Sequence, residues 1–249
     1  MKQRRGKLYV VGIGPGGLDD MTQRARHAIA ASEVVVGYSG YLDRIRTLCH
    51  GKVIIESGMG KELDRCAAAL REALMGKKTT LISGGDAGIY GMAGPVLELA
   101  LKKGVTDRTA IEIIPGVPGF VAGAARCGAP LMHDFAVISL SDLLTPWHVI
   151  EQRLNAAAAG DFVICIYNPR STGRKTQLGR AQTVLLEYRN PITPCAVLRH
   201  VAAANEHITI TTLGNILKEK IDMHSMVIIG NSQTRADGSW LLTPRGYTM

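Results

Sequence analysis

Read for hydrophobic and polar positions, the first half of the chain alternates short apolar runs with longer stretches of helical spacing. The runs Leu8–Ile13, Val34–Val36, Val53–Ile55, Thr79–Ser83 and Ile111–Ile114 have the length and β-branched content of buried parallel strands. Between them the clearest helical patterns are KELDRCAAALREALMGK and PVLELALKKG. Thr22 is placed to cap a helix running through Arg24, Ala28 and Ile29. This alternation predicts βα units and a mainly parallel sheet covered by helices on both faces.

A second series begins near Phe135. It reads FAVISL, PWHVIEQRLNAAAAG, DFVICIYN, a helix from Arg174 to Tyr188, then PCAVLRHV, HITITTL and SMVIIGN. HITITTL follows its predecessor too closely for a crossover helix, which predicts a hairpin and a mixed sheet. The fold class expected is α/β, with two α/β domains over 1–125 and 126–249. RCGAPLMHD (Arg126–Asp134) is the candidate linker, and a ligand cleft is expected between the domains.

Composition changes this picture little. A chain of 249 residues, 46% hydrophobic and 5% aromatic, suits a glycine-rich α/β protein packed by aliphatics. The net charge of +8 would attract nucleic acid or, equally, a small polyanion. Basic residues are scattered apart from KQRRGK at the start, and no aromatics interleave them for base stacking, so that tail reads as a solvated end. Five cysteines (Cys49, Cys66, Cys127, Cys165, Cys195) form no C-x-x-C pair and read as small buried thiols of a reducing cytoplasm. The basic start followed by apolar residues is too short and glycine-broken for a signal peptide. No apolar run approaches the ~18–20 residues of a membrane span.

Three glycine-bearing loops follow strands: GIGPGG, SGGDAGIYGMAGP and PGVPGFVAG. At the carboxyl ends of parallel strands, glycines let the backbone approach a ligand closely. Any one loop alone reads as a tight turn; three on one edge point to a ligand held largely by main chain. Gly12 to Gly17 satisfies the dinucleotide pattern G-x-G-x-x-G, yet its partners are missing. Asp19 and Asp20 crowd the helix start, and the second strand ends in Gly37-Tyr38 without a carboxylate; Glu33 stands at its wrong end. The seven histidines are dispersed, so no metal site is expected, and no nucleophile elbow is present.

VGIGPGG…DMT, SGGDAGIYGMAGPVLE and IIPGVPG, together with VVGYSGYLD, HDFAVISLSDLLTPWHVIEQRL, YNPRS and GNSQTR…LLTPRGY, resemble the tetrapyrrole (corrin) methylase family over essentially the whole chain. The resemblance implies two α/β domains, a homodimer, and S-adenosylmethionine bound in the interdomain cleft and converted to S-adenosylhomocysteine. It implies methyl transfer to C17 of precorrin-3B, or the cobalt-factor III equivalent, with ring contraction to precorrin-4. The family's cofactor positions fall on Pro15, Gly84, Gly85, Asp86, Ile89, Pro118, Gly119, Tyr167, Asn168, Val201 and Ala202. Where relatives that methylate uroporphyrinogen carry an Asp and a Lys, this chain has Tyr38 and a position near Ser57, the candidate catalytic residues. An unperturbed tyrosine, with pKa near ~10, is a poor base at neutral pH, so Tyr38 reads equally as a wall of the substrate trough. Gly37 and Gly40 are expected to let a flat macrocycle approach it. Arg126, Arg170 and Arg174 are the candidate partners of the substrate's carboxylates. The expected partner is an anionic tetrapyrrole, without nucleic acid or membrane, in the cytoplasm. A methylase of the same scaffold acting on rRNA or protein and an NAD-binding oxidoreductase remain as alternatives.

Overall fold

The computed structural model describes residues 6–248; positions 2–5 of the basic tail lie outside them. The chain divides into two compact units, Met1–Gly119 and Phe120–Met249.

The first unit runs β1 (Lys7–Gly12), α1 (Gln23–Ala31), β2 (Val34–Tyr38), α2 (Ser39–Arg44), β3 (Val53–Ser57), α3 (Glu62–Leu74), β4 (Lys78–Ser83), α4 (Ala93–Lys102) and β5 (Ala110–Ile114). Its sheet is all parallel, in the order β3-β2-β4-β1-β5. The inner strands β1, β2 and β4 are almost wholly buried because both faces are covered, while the edge strands β3 and β5 are partly exposed. Leu8, Val10, Val34, Val36 and Leu81 pack with Cys66, Leu70 and Val96 from α3 and α4. Their alternates Val11, Val35, Ile82 and Ile114 pack with Ala25 and Ile29 of α1. Thr22 caps α1 as its position predicts, its hydroxyl oxygen accepting the Ala25 N–H at 3.1 Å. Asp19 and Asp20 lie ahead of that cap in a separate 3-10 turn. The consequence for function is the strand order: β4, β1 and β5 are neighbours, so their three glycine loops leave the sheet side by side.

The second unit contains α5 (Gly119–Cys127), β6 (Gly128–Ala129), β7 (Phe135–Ser139), α6 (Trp147–Ala159), β8 (Val163–Tyr167), α7 (Gln177–Leu186), β9 (Pro194–Arg199), β10 (His207–Thr212), β11 (Ser225–Ile229), β12 (Arg235–Asp237) and β13 (Trp240–Leu242). The main sheet is mixed, in the order β10-β9-β11-β8-β7, with β9 and β10 forming the expected antiparallel hairpin. Ile164, Ile166, Val197, Val227 and Ile229 meet Ile150 and Leu154 of α6 and Leu178 and Leu185 of α7. On the other face α5 comes so close that a Cβ on Gly123 would lie 3.2 Å from Leu198 and 3.3 Å from Met226. Helix α7 starts later than its pattern suggests, because Ser171 and Arg174 close a turn on each other's backbone ahead of it.

Arg126–Asp134, expected as a linker, is instead built into the second unit. It ends α5 and supplies β6, whose Gly128 and Ala129 pair with Leu241 and Leu242 of β13. The glycine and proline that suggested a linker serve a reversal: Gly128 has φ +122, and a Cβ there would stand 2.6 Å from the Leu241 carbonyl oxygen. The division falls a few residues earlier, at Gly119.

All five cysteines are buried and free. Burial pushes the thiols of Cys66 and Cys127 up to about 11 and those of Cys165 and Cys195 up to about 12. Thiolate is the reactive form, so little of it exists at pH 8. The native protein is therefore expected to show no rapid thiol reaction with a chromogenic disulfide at pH 8, and to release five equivalents after denaturation. Rapid native titration of even one equivalent would contradict this burial.

Candidate functional site

The first unit's site is made of loops. After β1, the Gly14 N–H donates to the Gly85 carbonyl at 3.1 Å; the Gly85 N–H returns a bond to the Gly14 carbonyl at 2.9 Å. Both residues have positive φ, +77 and +60, which only glycine adopts without strain. Beneath them, a Cβ on Gly12 would stand 2.6 Å from the Gly116 nitrogen and 2.7 Å from the Gly85 oxygen. The third loop is tied in by Asp86, whose carboxylate accepts the Gly88 N–H at 2.7 Å and the Gly116 N–H at 3.0 Å. Asp86 thus joins the second loop to the third.

A Cβ on Gly85 would meet nothing nearer than the Gly119 nitrogen at 3.7 Å and the Val117 oxygen at 3.8 Å, and nothing lies within 4 Å of that point on Gly17. Pro15, Ile89, Pro118 and Gly119, half-buried, belong to the same three loops. Glu33 lies away from these loops: its carboxylate accepts the Lys78 N–H at 2.9 Å, at the amino end of β4.

Tyr38 and Ser57 are register partners at the carboxyl ends of β2 and β3. The Ser57 hydroxyl oxygen accepts from Arg65 at 3.0 Å; that guanidinium is buried and also donates to the Gly58 carbonyl and Glu62. The half-buried Tyr38 ring stands edge-on to Tyr41, centroids 5.2 Å apart. A Cβ on Gly40 would strike the Tyr38 ring at 2.8 Å, and one on Gly37 would meet Leu42 at 3.0 Å and Ile82 at 3.2 Å. They are glycine to admit this chain's own side chains.

In the second unit β7, β8 and β9 run in one direction and β11 against them, so the ends of all three open on one edge. Asn168, with φ +53, donates to the Ser139 hydroxyl at 2.9 Å, while its own carbonyl accepts from Arg174 at 2.8 Å. The Tyr167 hydroxyl accepts the Phe120 N–H at 3.1 Å. Ala202, with φ +60, donates its N–H to Glu206 at 2.5 Å. Val201 is buried. Arg126 pairs with Glu206 at 3.6 Å, Arg174 is turned onto its own loop, and Arg170 is exposed. Among the described residues no group of three or more His, Cys, Asp or Glu could hold a metal ion. Sequence reasoning missed Tyr41, Arg44, Ser139 and Glu206, because each acts on a loop that no local pattern connects to it.

The Asp86 tie is testable. Hydrogen bonds to a charged group contribute about 1.5–3 kcal/mol each. Asp86→Ala is expected to speed amide exchange at Gly88 and Gly116 by about 10–100-fold while β1 and β4 amides keep their protection. Unchanged exchange at both glycines would refute the tie.

The family model of the Tetrapyrrole (Corrin/Porphyrin) Methylases matches residues 7–217. The chain is 48% identical to the "Probable cobalt-factor III C(17)-methyltransferase" of Salmonella typhimurium, over 97% of this chain and 100% of that protein. It is 42% identical to the "Precorrin-3B C(17)-methyltransferase" of a Sinorhizobium species, over 97% of each. It spans about half the length of two further curated relatives. Among solved structures it is similar to the methyltransferase CobJ, with TM-score 0.91 and 37% identity over 96% of this chain and 100% of that one. On this match along nearly its whole length, the chain belongs to the tetrapyrrole (corrin/porphyrin) methylases.

Proposed function

We propose that the chain methylates C17 of precorrin-3B, or of its cobalt-loaded counterpart cobalt-factor III, with ring contraction to the precorrin-4 level, in cobalamin biosynthesis. The observation that carries this is the end-to-end similarity to relatives named for that methylation. The methyl donor of this reading is S-adenosylmethionine. Its nucleoside and amino-acid parts suit the main chain of the glycine loops around Gly85 and Gly119, and its cationic groups suit the Asp86 carboxylate. When bound, it supplies a methyl on a positively charged sulfur; the S–C bond electrons stay on sulfur while the ring provides the pair for the new C–C bond.

The chain's own task is alignment and exclusion of water, which in the best intramolecular cases supplies about 7–11 kcal/mol. Pro15, Gly84, Gly85, Asp86, Ile89, Pro118 and Gly119 serve as the first unit's cofactor residues, and Tyr167, Asn168, Val201 and Ala202 as the second's. Arg126, Arg170 and Arg174 are assigned to the substrate's carboxylates, with Arg170 the least engaged within the protein. Ring contraction needs proton transfers, and Tyr38 and Ser57 are the candidate groups. With Arg65 donating to the Ser57 oxygen, the Ser57 hydroxyl hydrogen is left to donate elsewhere. The same reading has the enzyme working as a homodimer in the cytoplasm, without nucleic acid or membrane. No helix among the described residues is long and apolar enough to cross a membrane.

Methyl-labelled S-adenosylmethionine offered with precorrin-3B, cobalt-factor III, rRNA and total protein is expected to label only the tetrapyrroles and to yield S-adenosylhomocysteine. Label in RNA or protein alone, or calorimetric binding of NAD without binding of S-adenosylmethionine, would overturn the reading.

Tyr38 is separable by two variants. Tyr38→Phe is expected to keep tetrapyrrole binding, and Tyr38→Ala to weaken it. A fall in turnover beyond ~100-fold in Phe marks proton transfer by the hydroxyl. Binding and turnover unchanged in both variants would remove Tyr38 from the site.

A further inference from the structure

Helix α2 is six residues long and starts immediately after Tyr38, yet its last residue reaches back to the first loop. The Arg44 guanidinium donates through Nε to the Gly16 carbonyl at 2.8 Å and through Nη2 to the Gly14 carbonyl at 2.8 Å, with Nη2 also bonded to Gly16. The Gly14 carbonyl is the one that accepts the Gly85 N–H. One guanidinium therefore fixes two peptide planes of the first loop and, through a shared acceptor, the start of the second. The peptide bond is planar and trans, so holding the Gly16 carbonyl toward Arg44 turns the Gly17 N–H the opposite way.

Tyr41, one turn earlier on α2, completes the brace. A Cβ on Gly84 would stand 2.5 Å from the Tyr41 Cζ, so the ring occupies the side-chain space that Gly84 leaves free. The Arg44 guanidinium lies 5.9 Å from the same ring. Burial draws the Arg44 pKa below its usual value, with Tyr41 and Asp20 opposing that change through space. A planar fork that meets two carbonyls in fixed directions is a task for arginine; a lysine ammonium keeps the charge and loses the fork.

We infer that Arg44 is a positioning residue for the methyl donor, holding the first and second loops in the shape that binds it. This rests on the reading proposed above. It makes cofactor affinity depend on a side chain that acts through Gly14 and Gly16, and it predicts a larger effect on the cofactor's KM than on kcat.

The test measures S-adenosylhomocysteine binding by calorimetry in wild type, Arg44→Lys and Arg44→Met, alongside circular dichroism and steady-state kinetics. Hydrogen bonds to a charged group set the scale: about ten-fold weaker binding is expected for Lys and about 100-fold for Met. The KM for S-adenosylmethionine should rise in parallel, kcat should change less, and added ethylguanidinium should restore part of the Met variant's affinity. If Arg44→Met does not fold, Arg44→Lys decides alone. Wild-type affinity in a folded variant overturns the inference, and so does loss of fold in Arg44→Lys, which would make Arg44 a folding residue. Failure of the wild type itself to bind S-adenosylhomocysteine counts instead against the proposed methyl donor.

Discussion

The loop edge of the first unit depends on one pair of backbone hydrogen bonds, those exchanged between Gly14 and Gly85. Each is a neutral amide bond, contributing only about 0.5–1.5 kcal/mol net. Their importance is geometric. They place the first two glycine loops against each other just beyond β1 and β4, and both partners need a positive φ to do so. Once that contact is made, Gly12 and Gly116 must also lack side chains, because the third loop crosses within van der Waals distance beneath it. Asp86 and Arg44 then fasten the assembly from either side with charge-assisted bonds, the stronger class.

The glycines of this unit accordingly have three separate reasons to be glycine. Gly14 and Gly85 supply backbone conformation, and Gly12 and Gly116 let backbones approach. Gly40 and Gly84 yield their side-chain space to Tyr38 and Tyr41. At Gly17 nothing lies within 4 Å of the missing Cβ, and at Gly85 only the Gly119 nitrogen and the Val117 oxygen approach it, at 3.7 and 3.8 Å.

The second unit solves a related problem with different chemistry. Asn168, His200 and Ala202, at the ends of β8 and β9, adopt positive φ without being glycine, an arrangement that costs on the order of 1–3 kcal/mol each. Polar side chains hold two of them in place. Ser139 and Arg174 bond Asn168, and Glu206 takes the Ala202 N–H. Glu206 also meets Arg126, so one carboxylate links α5 to the loop after β9.

Fold class and the main succession of strands and helices were legible in the sequence because they follow from periodicity, whereas the short elements α2, α5, β6, β12 and β13 were not. A strand buried on both faces must be apolar throughout, and a hairpin of β9 and β10 leaves no length for a helix. The three glycine loops and the Thr22 cap were legible for the same reason, since turn and cap chemistry is local. What the sequence could not give was which loops touch. The order β3-β2-β4-β1-β5 brings together residues as distant as Gly14, Gly85 and Gly116. The reach of Arg44 back to Gly16, and the seating of Tyr41 on Gly84, follow from that order and from no local pattern. RCGAPLMHD misled because glycine and proline mark a change of direction equally well in a linker and in a strand pairing, and only the partner β13 decides between them. Periodicity fixes what each segment is, because it reflects the segment's own burial; which segments become neighbours is decided by long-range packing, which leaves no local trace in the chain.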